Sequence, residues 1–212
     1  MENSGLMGGF YRLSVWISKF AYVNLLWVTF TLVGLVILGF YPATAAMFAV
    51  LRKWIMGDTD VPVFKTFWQS YKQEFVKSNL LGLILTVIGV ILIFDLKFFQ
   101  ASENLILSSL FIPLLLVTFL FLLVLLYIFP VFVHFDIKLL QVLKNSFLIM
   151  VMNPLITIFM LVSLGALYYI LIYVPGLIMF FSGSVAGYII MFFAYRGILK
   201  AQERQEKANN KK

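Results

Sequence analysis

The 212-residue chain is 63% hydrophobic and 12% charged, with no cysteine and a single histidine. Disulfides, thiolate metal sites and a cysteine nucleophile are thereby excluded, and no cluster of histidines can hold a metal. The net charge of +7 sits mostly beside apolar runs and at the C-terminus, which points to membrane topology and anionic lipid rather than to nucleic acid.

Leu6, Phe10, Leu13, Ile17 and Phe20 recur on one helical face with Arg12 and Lys19 opposite, predicting an amphipathic helix over about 6–19. From Phe20 to Leu51 there is no charged residue or histidine. A helix over about 20–39 is long enough for one crossing. Gly39-Phe-Tyr-Pro42 then reads as a stop and turn, because proline suits a helix start. A second span over about 42–56 would return to Arg52-Lys53-Trp54, a basic and aromatic group suited to a headgroup boundary. At about 21 Å this span is short, and it needs a thinned bilayer or a re-entrant path. Ala43-Thr44-Ala45 resembles a signal-peptide cleavage site, but the apolar run before it exceeds the usual ~7–15 residues.

Beyond Pro62, residues Phe64, Phe67, Trp68, Tyr71 and Phe75 follow an i, i+3, i+4, i+7, i+11 pattern, with Lys65, Gln69, Lys72 and Gln73 opposite. This predicts an interfacial helix, and Phe64, Phe67, Trp68, Tyr71, Lys72 and Phe75 are its candidate partner-docking residues. A span over about 78–98 carries Ser78, Gly82, Thr86 and Gly89 on one face. The run over about 105–133 is one long or tilted crossing with Pro113 and Pro130 near its ends. Leu139, Leu140, Leu143 and Phe147, opposed by Lys138, Gln141 and Lys144, predict a second interfacial helix. From Asn145 to Tyr195 charged residues are again absent, and Val174-Pro175-Gly176 divides the stretch into spans of about 149–173 and 176–195. Residues 201–212 form a basic cytoplasmic tail.

The predicted fold is therefore all-α: a polytopic transmembrane helical bundle of five to six spans, with cytoplasmic interfacial amphipathic helices. Five crossings leave Arg12, Lys19 and Lys97 outside, whereas six leave only Lys97 there, so the positive-inside bias favours six, with both termini cytoplasmic. Gly183 and Gly187 form a GxxxG pair, and Gly82 and Gly89 a second small-residue face. Such faces let helices approach closely, by default within the chain and alternatively in a homo-oligomer. Asn24, Thr29, Thr31, Asn153 and Thr157 can bond neighbouring helices or line a polar path.

The predicted interior lacks ionisable groups; Asp95, His134 and Asp136 lie at span ends. Ion-coupled carriers keep such groups inside their helices. No phosphate loop, carboxylate pair or nucleophile elbow is present, and Asp58 and Asp60 flank a polar turn. The reading is of a non-enzymatic protein without catalytic, metal or cofactor residues.

Several local sequences carry a resemblance. Asn24-Leu-Leu-Trp27, Gly39-Phe-Tyr-Pro42-Ala43-Thr44-Ala45-Ala46, Arg52-Lys53-Trp54-Ile55-Met-Gly57-Asp58, Pro62-Val-Phe64, Phe67-Trp68 and Tyr71-Lys72-Gln-Glu74-Phe75 resemble the YesL-like family over about residues 20–80. That family comprises small bacterial integral membrane proteins of uncharacterised function. The resemblance implies a plasma-membrane protein, often encoded near polysaccharide-degradation genes and sugar-importing ABC transporters. It marks Pro42, Ala43 and Thr44 as a family-like turn and supplies no catalytic residues. The chain also lacks the Glu-Ala-Ala…Gly coupling loop of a translocating permease. The expected role is an accessory or assembly component of a carbohydrate (oligosaccharide) ABC uptake system, with transporter subunits as partners. The alternative is an uncoupled channel or facilitator for a small neutral solute.

Overall fold

The computed structural model describes residues 6–102 and 104–209. Every regular element among them is a helix: α1 Leu6–Val33, α2 Ile37–Ile55, α3 Val63–Gln73, α4 Phe75–Ala101, α5 Leu105–Ser109, α6 Phe111–His134, α7 Leu139–Met152, α8 Pro154–Tyr173 and α9 Gly176–Asn209. Among the described residues, five segments are long and apolar enough to cross a membrane: Gly8–Val33, Phe75–Ala101, Leu107–His134, Pro154–Tyr173 and Gly176–Arg204. The chain is a multi-pass helical membrane bundle.

The N-terminal third differs from the sequence reading in three ways. The expected surface helix of 6–19 and the first span are one continuous helix, α1. The turn after it falls at Gly34-Leu35-Val36, not at Gly39-Phe-Tyr-Pro42. Leu35 and Val36 both take positive φ, 57° and 63°, a conformation costly for side-chained and above all β-branched residues. Backbone bonds hold it: the amides of Gly34 and Val36 donate to the carbonyls of Phe30 and Thr31 at 3.1 and 2.9 Å. Gly34 and Gly39 meet so closely that a Cβ on either would overlap the other's backbone. Thirdly, Pro42 lies inside α2.

That proline explains a tertiary bond. In a helix the amide of residue 42 would bond the carbonyl of Leu38, and proline has no amide proton. Asn79 of α4 donates its Nδ2 to the Leu38 carbonyl at 3.0 Å instead. In apolar surroundings an unmet carbonyl is expensive, so Pro42 and Asn79 form a functional pair. Asn79→Leu is expected to destabilise the protein by about 1–2 kcal/mol. The same change in a Pro42→Ala background should cost at least about 1 kcal/mol less, because the restored amide serves Leu38. Unfolding of the four proteins in mixed micelles checks this, and additive losses would refute the pairing.

The contacts of α2 place both of its ends. Its start meets Asn79 near the beginning of α4. Near its end, Arg52 bonds Val133 and His134 at the end of α6. Lys77 of α4 and Asp136 just after α6 pair at 3.2 Å, so these two helix ends lie together. Both ends of α2 thus reach the same end of the α4–α6 pair. The beginning of α1 returns to the end of α2, with Lys19 bonded to Thr59 and Trp16 edge-on to Trp54, so α1 and α2 lie antiparallel side by side. Among the described residues, five segments meet the length and hydropathy of a crossing, the lower figure of the expected five to six.

Two apolar cores result. One surrounds α2 with Val23, Met47, Leu51, Trp54, Phe67 and Met191. The other centres on Tyr127, Ile128, Val131, Val142, Met160 and Ile198. Phe129, Val133 and Ile190 pack against both.

Candidate functional site

The polar site is built where helix ends meet. Arg52 and Lys53 occupy the last turn of α2, where cations suit the helix dipole. His134 ends α6, and Glu74 alone separates the end of α3 at Gln73 from the start of α4 at Phe75. These ends enclose a cleft of about 480 Å³. Arg52 Nε donates to His134 Nδ1 at 3.3 Å, and Arg52 Nη1 donates to the Val133 carbonyl at 3.1 Å. With Nδ1 accepting, the ring's proton sits on Nε2. His134 also lies edge-on to Tyr195 of α9, its centroid 5.6 Å away. Lys77, Glu74 and Asp136 line the same cleft, with Lys77 and Asp136 paired. The site collects Arg52, Lys53 and Lys77 against Glu74 and Asp136, and its chemistry is recognition of charge.

The candidate docking residues divide between core and surface. Phe67 and Tyr71 are buried against Phe30 of α1, with centroids 5.3 and 5.1 Å from its ring. Tyr71 also donates to the Phe30 carbonyl at 3.4 Å, and burial raises its phenol pKa above the usual value. Phe75 is half-buried and edge-on to Tyr71. Phe64, Trp68 and Lys72 remain exposed, with the Lys72 ammonium 4.9 Å from the Trp68 ring centre. The aromatic face read as a lipid or partner surface is therefore partly the seam that fastens α3 to α1.

On α7 the inward face is Val142, Ser146, Ile149 and Met150. Leu140 and Phe147 face outward beside Lys144, so apolar and basic groups share the exposed side instead of opposing each other.

The residues marked as a turn are packing residues of α2. Ala43 is fully enclosed, and Thr44 donates to the Phe40 carbonyl while accepting from Trp27 Nε1 at 3.0 Å. Gly183 and Gly187 work within the chain. A Cβ on Gly183 would lie 2.9 Å from Trp27, and one on Gly187 would lie 3.0 Å from Leu51 and Met47. Gly82 gives room to Tyr41, whose hydroxyl shares a 2.6 Å hydrogen bond with Thr86. Gly89 makes only ordinary contact with Phe121.

Intramembrane polar groups are largely bonded to helices. Asn24 donates to the Met179 carbonyl at 2.8 Å and accepts from the amides of Gly183 and Ser184, each at 3.0 Å. Tyr127 and Thr157 share a 2.7 Å bond, and Asn153 donates to Ile149 and Gly197. Arg52 and His134 escaped the sequence reading as a pair because 82 positions separate them; both lay at span ends, the one available signal. Asn79 carried no signal until Pro42 was placed inside α2.

Fold and cleft together define a polytopic helical membrane protein whose charged groups gather at helix ends. The family described as "Protein of unknown function, DUF624" matches residues 20–96, which hold α2, α3 and the Arg52 side of the cleft. Three Bacillus subtilis (strain 168) proteins, each called uncharacterised, are similar along nearly the whole chain. YteU is 45% identical over 203 residues, 96% of this chain and 91% of its own. YesV is 40% identical over 190 residues, 90% and 91% of the two chains. YesL is 38% identical over 199 residues, 94% of each. No solved structure gives a significant match. The chain belongs to this YesL-like, DUF624 family.

Proposed function

We propose that the protein is a non-enzymatic accessory or assembly component of a bacterial carbohydrate (oligosaccharide) ABC uptake system, acting from the plasma membrane. The observation that carries the docking part is what α3 leaves over after it packs. Phe64, Trp68 and Lys72 stay exposed at i, i+4 and i+8, one stripe of a helix whose other side is fixed in the core. Exposed aromatic residues beside a cation, on a rigid helix, suit a protein interface. The carbohydrate part rests on the gene neighbourhood that the family resemblance implies. The basic rim of Arg52, Lys53 and Lys77 supports placing this face in the cytoplasm.

A facilitator for a small neutral solute is less favoured, because Asn24, Asn153 and Thr157 direct their hydrogen bonds to the protein's own helices. The test is affinity capture of the tagged chain from native membranes. Transporter subunits should accompany the wild type and fall at least about fivefold with Trp68→Ser/Lys72→Gln, while the inserted amount stays unchanged. Capture without transporter subunits would end the accessory reading. Equal capture by wild type and variant would end the α3 docking surface alone.

A further inference from the structure

The cleft at Arg52 contains an unspent cation. Arginine presents five donors in a planar fork, and here Nε and Nη1 are directed to His134 and Val133. The remaining donors of that fork have no protein acceptor, and no carboxylate lies within ion-pair distance of the guanidinium among the described residues. Asp136, the carboxylate that could have neutralised it, is held by Lys77 at 3.2 Å. Lys53 follows Arg52 on the same wall, and Ser70 and Gln73 add neutral polar groups from α3. His134 accepts through Nδ1, so it fixes the plane of the guanidinium without neutralising it. The cleft is large enough for a phosphate-sized group, at about 480 Å³.

We propose that this cleft binds an oxyanion, with Arg52 as the bidentate ligand, Lys53 as a second cation and His134 as the residue that orients the guanidinium. With Nε donating to His134 the side edge of the fork is engaged, and the terminal Nη1–Nη2 edge is the one that can offer paired donors to phosphate or carboxylate oxygens. Glu74 on the same cleft repels a second negative charge and so favours a compact anion with a neutral remainder. The oxyanion could belong to a lipid headgroup or to a soluble molecule, and the site chemistry is shared. The proposal does not rest on the accessory role.

The test uses the full-length purified chain and two probes. In the first arm the protein in zwitterionic-lipid nanodiscs is titrated with inorganic phosphate, with chloride as the ionic-strength control, and the unfolding temperature is read. In the second arm nanodiscs contain increasing phosphatidylglycerol. A saturable rise of several degrees in the first arm identifies a soluble oxyanion, and a rise in the second arm alone identifies a headgroup. In the responding arm, R52Q should weaken the apparent affinity at least about tenfold. R52K keeps charge without the fork and serves where R52Q does not fold; it should fall between the two, and K53Q should weaken binding less than R52Q does. A flat response in both arms, or a response that survives R52Q and R52K undiminished, would overturn the proposal.

Discussion

Valine at Gly82 or Gly183 is expected to lower the stability of the inserted chain by about 3 kcal/mol or more, and valine at Gly89 by less than about 1 kcal/mol. All three look alike in sequence, as small residues on apolar helices. Their surroundings separate them. At Gly82 a Cβ would overlap the Tyr41 ring, and Tyr41 is itself tied to Thr86 one helical turn along α4. At Gly183 the neighbours are Trp27 and the Asn24 oxygen, and that oxygen receives the Gly183 and Ser184 amides. A larger side chain there pushes α1 from α9 and removes Asn24 from its bonds together. At Gly89 the nearest neighbour is Phe121, at 3.7 Å from a built Cβ, so the added atoms find space. Unfolding in mixed micelles at increasing denaturing-detergent fraction reads the three side by side. Tyr41→Ala should recover part of the Gly82→Val loss by vacating the occupied volume, and no part of the Gly183→Val loss. Equal losses at all three glycines would show that close approach is not what selects them.

Hydropathy made the C-terminal bundle legible, because lipid contact demands long apolar runs whatever the details of packing. Residues 78–98 lie within α4, 105–133 are covered by α5 and α6 with a break at Leu110, and the helix expected over 176–195 continues to Asn209. The break at Val174-Pro175-Gly176 is where α8 gives way to α9, and Asn153-Pro154 supplies the α7–α8 boundary. The N-terminal third was misread for the converse reason. Ala43, Ala45 and Ala46 are enclosed by protein, and a helix packed on all sides by neighbours can be small-residue-rich without being strongly apolar. Its length suggests a short crossing, and its contacts lay it antiparallel to α1, from Trp27 beside Phe40 to Trp16 beside Trp54. The Gly34-Leu35-Val36 turn carries only one turn-forming residue, so nothing local announces it; backbone hydrogen bonds and the close approach of Gly34 to Gly39 hold the positive φ values. The Arg52 cleft was invisible for a further reason, since it joins the ends of α2 and α6 and the α3–α4 junction, and only their docking places those charges together.

Phe67→Ala is expected to cost about 3–5 kcal/mol, the usual loss for truncating a fully buried aromatic. Phe64→Ala and Trp68→Ala should each cost no more than about 1.5 kcal/mol. All three rings approach Phe30, with centroids at 5.3 Å for Phe67, 6.5 Å for Phe64 and 5.4 Å for Trp68. Burial separates them: Phe67 is wholly enclosed, whereas Phe64 and Trp68 keep 50% and 38% of their surface open. The alanine at 67 leaves a cavity between α1, α2 and α3 that the other two positions cannot create. Denaturing-detergent titration measures stability, and capture of partners from native membranes measures docking; the two readouts should move apart. Phe67→Ala should lose partners only as far as it loses folded protein, while Trp68→Ser should lose partners at full folded yield. A Phe67 variant as stable as the Trp68 variant would mean that α3 is not anchored through this face, and the division of its aromatics into core and surface would fail with it.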